Sequence, residues 1–218
     1  MTVAVAGAHG KIALLLGPLL AQAGAEVRGI VRNPDHGDDL RAAGMTPAVC
    51  DLEGDAPELE TILDGCSAVV FAAGAGPGSG DARKQTMDRD GAIKLIAACR
   101  RTGVPRYLMV SSMGARDPEL PGDGFAAYLR AKAQADAALM ASGLDFTIVR
   151  PGSLTDDPAT GRIRIADRLE RGQVPRADVA AVLAAALHTP ATVGTAFDLL
   201  TGPDPIEDAL VAAPAAAA

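Results

Sequence analysis

A tyrosine–lysine pair and a serine pair are the residues of this 218-residue chain best suited to chemistry. Tyr128 and Lys132 stand four apart in a segment of helical periodicity, which predicts that they share one face of a helix. A phenol with an ordinary pKa of about 10 exchanges its proton poorly near neutrality unless a cation stabilises the phenolate. Lys132 would be that cation, and the hydroxyl of Ser111 or Ser112 could orient the oxygen that receives the proton. From spacing alone, an exposed helical pair without a chemical role is an equal alternative.

A strand, a turn and a helix are predicted in succession at the N-terminus. Residues 2–6 form an apolar run typical of a strand, and the leucines of residues 14–20 recur at helical spacing. The turn between them reads Gly7-Ala8-His9-Gly10-Lys11-Ile12. Such a glycine pattern also describes an ordinary turn, but a strand before it and a helix after it are the context that a dinucleotide-binding motif requires.

The chemistry of this turn favours a pyrophosphate ligand. Gly7 would let the strand end in a tight turn, and Gly10 would let the backbone approach the anion closely. The N–H groups near Lys11 and Ile12 would open the helix without intrahelical partners, with the positive end of the helix dipole behind them. We therefore expect Gly7, His9, Gly10, Lys11 and Ile12 to bind the cofactor.

The residue that follows the second predicted strand, residues 25–31, indicates which cofactor is bound. A carboxylate there would bond the ribose hydroxyls of NAD, whereas a cation accommodates the 2′-phosphate of NADP. The residue is Arg32, which predicts NADP(H) rather than NAD(H) unless it is only a solvated arginine. Asp51 and Leu52 follow the third strand, residues 46–49, where Asp51 would receive the adenine amino group or cap the next helix.

Strands and helices alternate along the next hundred residues. Further strands are predicted at residues 67–71, 106–110 and 145–149, and helices at residues 38–43, 57–63, 86–102 and 125–142. The small residues Ala72, Ala73 and Gly74, in a loop that extends to residue 80, would let a ribose or nicotinamide lie against the main chain. The alternation predicts a Rossmann-type doubly wound parallel sheet in three layers.

The C-terminal part is predicted to be less regular. Residues 153–161 are predicted to form a loop and residues 162–165 an edge strand. A helix at residues 178–188, a last strand at residues 195–200 and a terminal helix at residues 205–212 follow. We predict one domain over residues 1–212 and a disordered alanine-rich tail at residues 213–218.

Composition limits the classes of partner. Acidic residues outnumber basic ones by 27 to 20, giving a net charge of −7, which offers no electrostatic support for a nucleic-acid or anionic-membrane partner. The three cysteines lack metal or redox spacing, and His9, His36 and His188 lie in separate segments, so we predict reduced thiols and no metal. No apolar run approaches the length of a membrane span, which indicates a cytoplasmic protein. The oligomeric state is not predicted.

Several segments together resemble the short-chain dehydrogenase/reductase superfamily, and more closely its atypical branch of small NAD(P)H-binding, NmrA-like proteins. The resemblance is carried, in order along nearly the whole chain, by residues 7–12, 31–32, 51–52, 110–115, 128–132, 142–152 and 176–180. It implies a nicotinamide near Pro151 and Gly152, with Lys132 bonding the ribose hydroxyls. The catalytic residues would be Ser111 or Ser112, Tyr128 and Lys132.

The expected function is an NADP(H)-dependent oxidoreductase that transfers hydride to a small carbonyl, quinone or flavin-like acceptor. The alternative is a redox sensor that binds NAD(P)H without turnover. A sugar-nucleotide epimerase shares the motifs but normally has a C-terminal substrate lobe, for which the residues after Pro151 leave little room. Arg150, Asp156 and Asp157 could contact the substrate or belong to a solvated loop.

Overall fold

The core of the molecule is a nine-stranded sheet. The computed structural model describes residues 1–74, 76, 81–116, 123–214 and 216. The strands are β1 (Thr2–Ala6), β2 (Glu26–Val31), β3 (Thr46–Val49), β4 (Ala68–Phe71), β5 (Arg106–Val110), β6 (Asp145–Pro151), β7 (Ser153–Thr155), β8 (Arg162–Ala166), β9 (Gln173–Pro175), β10 (Thr195–Thr201) and β11 (Asp204–Pro205). The sheet has the order β11-β8-β10-β6-β5-β4-β1-β2-β3, and β7 pairs with β9 in a separate ribbon.

Helices cover both faces of the sheet. They are α1 (Lys11–Gln22), α2 (Gly37–Ala42), α3 (Leu59–Leu63), α4 (Asp81–Arg83), α5 (Ala92–Thr102), α6 (Asp123–Met140), α7 (Arg176–Ala186) and α8 (Ile206–Val211). A π-helical segment, Lys84–Gly91, joins α4 to α5. Val3 and Val5 pack with α1 and α7, whereas Ala4 and Ala6 pack with α3, α5 and α6, because successive side chains of a strand point to opposite faces. The predicted three-layer Rossmann fold is confirmed.

The order of the strands determines where a ligand can bind. The chain builds β1, β2 and β3 outward in one direction and then returns to place β4 on the other side of β1. All three of these pairings are parallel. The carboxyl ends of β1 and β4 therefore separate at a topological switch point, the usual ligand crevice of open α/β sheets.

One end of the sheet departs from the predicted parallel arrangement. Strand β8 runs antiparallel to β10, and the two-residue β11 pairs with β8, so the predicted edge strand has a neighbour on each side. The prediction of a loop at residues 153–161 was wrong for its first three residues, because Ser153–Thr155 forms β7, which pairs in parallel with β9. A three-residue strand is too short to show periodicity, and pairing with a distant segment defines it.

Helix boundaries also differ from the predictions. The helix expected at residues 86–102 is three successive pieces, which are α4, the π-helical segment and α5, and they begin earlier, at Asp81. The helix expected at residues 178–188 is α7, Arg176–Ala186. Parts of two predicted irregular segments lie outside the described residues, namely positions 75, 77–80 and 117–122, as do tail positions 215, 217 and 218. Within the ranges that the structure covers, no helix is both long and apolar enough to cross a bilayer.

Candidate functional site

The glycine turn after β1 has the geometry that the sequence predicts. Gly7 has φ +74°, and a Cβ there would lie 2.5 Å from Cα of Ala73, so only glycine fits. The Gly10 N–H donates to the Gly7 carbonyl at 2.8 Å, which closes the turn and starts α1. No side chain caps α1, and its first turn carries no acidic residue. The first N–H groups of α1 are therefore suited to an anion.

A cleft of about 270 Å³ opens beside this turn. Its lining includes the predicted cofactor residues Gly7, His9, Gly10, Arg32, Leu52, Ala72, Ala73 and Gly74, together with Ile30, Val31, Asn33, His36, Cys50, Arg83 and Met87. The lining therefore combines apolar side chains with the guanidinium groups of Arg32 and Arg83. Backbone, an apolar surface and cations are the features that a pyrophosphate, an adenine and a ribose phosphate need, so the residues fit a dinucleotide.

His9, a predicted cofactor residue, lies against a second histidine. The rings of His9 and His36 stack with centroids 3.6 Å apart, and Nε2 of His9 lies 2.8 Å from Oδ2 of Asp39. Both rings line the cleft. These contacts join the segment after β2 to the glycine turn.

Two other predicted cofactor residues have protein partners outside the cleft lining. Nζ of Lys11 lies 2.5 Å from Oδ2 of Asp156, and Nη1 of Arg176 lies 2.7 Å from the other oxygen of that carboxylate. Asp51 accepts a hydrogen bond from the Glu53 N–H at 3.0 Å, which forms an Asx turn and not the alternative helix cap, because α3 begins only at Leu59. Ile12, Pro151 and Gly152 do not line the cleft either. The roles of these residues toward a cofactor remain predictions.

The glycine at position 152 has a packing explanation. A Cβ on Gly152 would lie 2.5 Å from the Gly172 carbonyl oxygen, and it would also overlap the Leu200 side chain. The Ser153 N–H donates to that same carbonyl at 2.9 Å. The close approach of two backbone segments therefore requires glycine here.

Tyr128 and Lys132 lie together on α6, next to Ala73 of the cleft lining. The two residues share one face of α6, and Nζ of Lys132 is 5.9 Å from the centre of the Tyr128 ring. That Nζ donates to the carbonyls of Val110 at 3.1 Å and Ala73 at 3.5 Å. Lys132 is only 3% exposed, so the pair is not a solvated surface pair. Because Ala73 also lines the cleft, the lysine adjoins the predicted cofactor site.

The structure separates the two serines, which the sequence could not. Ser111 is buried beside Asp136, where burial raises the pKa of the carboxyl and the Ser111 hydroxyl offsets only part of that rise. Ser112 is half-buried and forms a hydrogen bond with Tyr128, which offsets a small part of the rise that burial causes in the pKa of Tyr128. Ser112 is therefore the serine that lies by Tyr128, whereas Ser111 lies by the buried Asp136.

Buried acids that the sequence reading missed support this cluster. Oδ1 of Asp88, a fully buried residue of the π-helical segment, lies 3.2 Å from Nζ of Lys132. Asp136 is one helical turn beyond Lys132, and its Oδ2 lies 2.9 Å from Nε of Arg150. Tyr128, Lys132 and Asp136 are four apart, a pattern that could have revealed Asp136, whereas nothing local distinguishes Asp88. Arg150 is buried in this pair, which excludes the solvated-loop alternative for this residue.

Burial dominates the electrostatics of Tyr128. Desolvation raises its pKa, and the lowering by the Lys132 charge does not offset this effect. The expectation that Lys132 brings the pKa of Tyr128 down toward neutrality was therefore wrong in its net direction. Burial lowers the pKa of Lys132, but the charges of Tyr128 and Asp88 outweigh it and the pKa is raised. At neutral pH the pair is a neutral phenol beside an ammonium group.

Glu53 connects the two arginines that line the cleft. Its Oε2 lies 2.9 Å from Nη1 of Arg32 and 3.3 Å from Nε of Arg83. The Thr86 hydroxyl donates to the other carboxylate oxygen at 2.7 Å. Neither Glu53 nor Arg83 was expected from the sequence.

Among the residues that the structure covers, no group of three or more His, Cys, Asp or Glu side chains could hold a metal ion.

The parallel sheet, the switch-point cleft and the glycine turn define a dinucleotide-binding α/β protein. The sequence matches the profile of the NAD(P)H-binding family over residues 7–190, and the chain belongs to that family. It is 38% identical to the uncharacterized sugar epimerase YhfK of Bacillus subtilis, over 96% of this chain and 99% of the relative. The predicted membership of the atypical short-chain dehydrogenase/reductase group is confirmed.

Solved structures agree with this assignment. A candidate NAD-dependent epimerase/dehydratase from Bacillus halodurans has a TM-score of 0.92 and 38% identity, covering 96% of this chain and 98% of its own. The oxidoreductase ylbE from Lactococcus lactis has a TM-score of 0.87 and 26% identity, covering 97% and 96%. The described fold is thus shared with one protein named as an epimerase/dehydratase and with one named as an oxidoreductase.

Proposed function

We propose that this protein is an NADPH-dependent reductase acting on a small carbonyl, quinone or flavin-like acceptor. The observation that carries the proposal is the grouping of Tyr128 with Ser112 and Lys132 beside the cleft. A neutral phenol, a hydroxyl and a buried cation are the groups that complete a hydride transfer to a carbonyl. Ala73, which accepts a hydrogen bond from Lys132 and lines the cleft, joins them to the cofactor region.

The chain's own residues supply the binding of NADPH. The N–H groups at the start of α1, after Gly7 and Gly10, would hold the pyrophosphate, and Arg32 would bind the 2′-phosphate. Lys132 would donate to the nicotinamide ribose, as the family resemblance implies. Bound NADPH supplies the hydride that reduces the acceptor.

Tyr128 then supplies the proton. The carbonyl carbon gains hydride and its oxygen becomes an alkoxide, which takes the phenolic proton of Tyr128 and leaves a phenolate. Ser112 would donate a hydrogen bond to the carbonyl oxygen as negative charge develops on it. The ammonium group of Lys132 stabilises the phenolate until solvent returns the proton. The raised pKa of Tyr128 keeps the phenol in the protonated form that this step needs at neutral pH.

The C-terminal third continues the Rossmann sheet of the cofactor-binding part. After β6, strands β8, β10 and β11 extend the main sheet, while α7 and α8 cover it. The described residues of this region therefore belong to the same sheet and to the helices that cover it. Some relatives carry epimerase names and others carry oxidoreductase names. The oxidoreductase name of ylbE agrees with the proposal.

NADPH oxidation in the presence of carbonyl, quinone and flavin acceptors tests the proposal. Tyr128→Phe should lower kcat on a carbonyl by about 10²- to 10⁴-fold, the range for a lost general acid, and leave NADPH affinity unchanged. Tyr107→Phe is the matched control, because Tyr107 is buried in the core and its hydroxyl bonds the Ala92 carbonyl at 3.5 Å. Full activity of Tyr128→Phe on a carbonyl would contradict the mechanism. Tight NADPH binding without oxidation by any acceptor would instead favour the redox sensor.

A further inference from the structure

Two arginines from different elements converge on one carboxylate at the cleft. We propose that Arg83 is a second ligand of the NADPH 2′-phosphate and that Glu53 is the residue that positions Arg83 and Arg32 for it. The inference rests on the proposed NADPH preference, and it assigns roles to two residues that the glycine turn and the β2 terminus do not indicate.

The two guanidinium groups come from different elements of the fold. Arg32 directly follows β2, whereas Arg83 is the last residue of α4, before the π-helical segment. Both residues line the cleft. Their side chains keep 54% and 41% of their surface exposed, so a ligand can reach them. A guanidinium group has five N–H donors, which lets it bind a carboxylate and a phosphate at the same time.

Glu53 holds both arginines in fixed positions. One oxygen contacts both guanidinium groups, and the other accepts the Thr86 hydroxyl hydrogen bond. The Glu53 side chain is 17% exposed, which is much less than either arginine. Because the carboxylate is bound from several elements, part of the entropic cost of ordering two long side chains is met before a ligand arrives.

The charge of this group suits a phosphate monoester. Two guanidinium groups and one carboxylate leave a net positive charge, whereas a 2′-phosphate carries a charge of about −2 near neutral pH. NADH has a neutral hydroxyl at the same position. A second arginine should therefore increase the affinity for NADPH and leave that for NADH nearly unchanged.

A purely structural ion pair would behave differently. Exposed pairs contribute little to stability and have no reason to distinguish two cofactors. Arg101 and Glu60 form such a pair, with Nε 2.5 Å from Oε1 and both side chains more than half exposed. Arg101→Gln is thus the matched control for Arg83→Gln.

Titration calorimetry of the full chain with NADPH and with NADH tests the role of Arg83. Arg83→Gln should weaken NADPH binding by about 10- to 100-fold, the range for a hydrogen bond to a charged group, and change NADH binding by less than about twofold. The loss should shrink as salt is raised, since the interaction is ionic. Arg101→Gln should change neither affinity. Equal losses for the two cofactors, or no loss for either, would overturn the proposal.

The positioning role of Glu53 is tested by two substitutions. Glu53→Ala removes the anchor and should weaken NADPH binding severalfold without affecting NADH. Glu53→Gln keeps an acceptor oxygen and should restore NADPH binding at least to the parent level, because it also removes a negative charge near the phosphate. If both variants behave alike, Glu53 does not position the arginines.

Arg32→Ala separates this inference from the proposed function. If Arg32→Ala abolishes the NADPH preference while Arg83→Gln does not change it, the role of Arg83 is refuted and the NADPH preference stands. If the parent chain binds NADPH and NADH equally, the NADPH preference and the present inference both fail.

Discussion

Nζ of Lys132 lies 3.2 Å from Oδ1 of Asp88, with the two side chains 4% and 0% exposed. The pair joins α6 to the π-helical segment before α5. Desolvating two charges is costly, and the hydrogen bonds from Lys132 to the Ala73 and Val110 carbonyls offset part of that cost. Segments of π-helix often occur at functional sites, and this one places a carboxylate where the ammonium group beside Tyr128 needs it.

Asp88→Asn should destabilise the protein by about 3 to 5 kcal/mol, because it leaves a buried ammonium group without its counter-charge. Urea unfolding of parent and variant gives the difference. Asp38→Asn is the control, since Asp38 is 98% exposed in its pair with Arg41 and should cost less than about 1 kcal/mol. A loss below about 1 kcal/mol for Asp88→Asn as well would mean that Lys132 is neutral or finds another partner.

The carbonyl reductase activity should be insensitive to the titration of Tyr128 across neutral pH. The pKa of Tyr128 is raised from its ordinary value, so the phenol that donates the proton persists to higher pH and is lost only above about pH 10. The measurement is kcat against pH with one carbonyl substrate. An alkaline loss of activity between pH 7 and 9 that disappears in Tyr128→Phe would contradict this assignment.

Replacing Ser112 should affect mainly kcat, whereas replacing Ser111 should affect mainly stability. Ser112→Ala should lower kcat on a carbonyl by about 10²- to 10³-fold, because it removes a donor to the developing oxyanion. Ser111→Ala, beside Asp136 in the buried layer, should alter the urea midpoint more than kcat. Single-turnover kinetics and unfolding of the same two samples provide the comparison. A larger kcat loss for Ser111→Ala would reverse the assignment.

Gly10→Val should abolish NADPH binding without unfolding the chain. A Cβ at Gly10 would lie 3.1 Å from the Gly7 carbonyl and on the side where the backbone must approach the pyrophosphate. Gly54→Val is the control, since a Cβ at Gly54 meets its nearest atom at 3.6 Å, an ordinary contact. Calorimetric titration with NADPH measures binding, and circular dichroism checks the fold. Normal binding by Gly10→Val would mean that the pyrophosphate lies elsewhere.

Local patterns in the sequence determined most of the elements. The strands β1 to β6 and the helices between them follow from apolar periodicity, glycine turns and the spacing of breakers, which act over a few residues. The glycine turn and the shared face of Tyr128 and Lys132 are also local, so they were predicted correctly. The three-residue β7 and the two-residue β11 were not, because pairing with distant strands defines them.

Tertiary structure alone decided what surrounds the reactive groups. Asp88 contacts Lys132, and Glu53 contacts Arg83. The residues of each pair are too far apart in the sequence for a periodic pattern to connect them. Tertiary structure also decided that Ser112, rather than Ser111, lies by Tyr128, since adjacent residues at the end of a strand point in different directions. The pKa of Tyr128 depends on the balance between burial, which raises it, and the charge of Lys132, which lowers it. Desolvation and long-range contacts are properties of the packed chain, and residue types and spacing do not encode their balance.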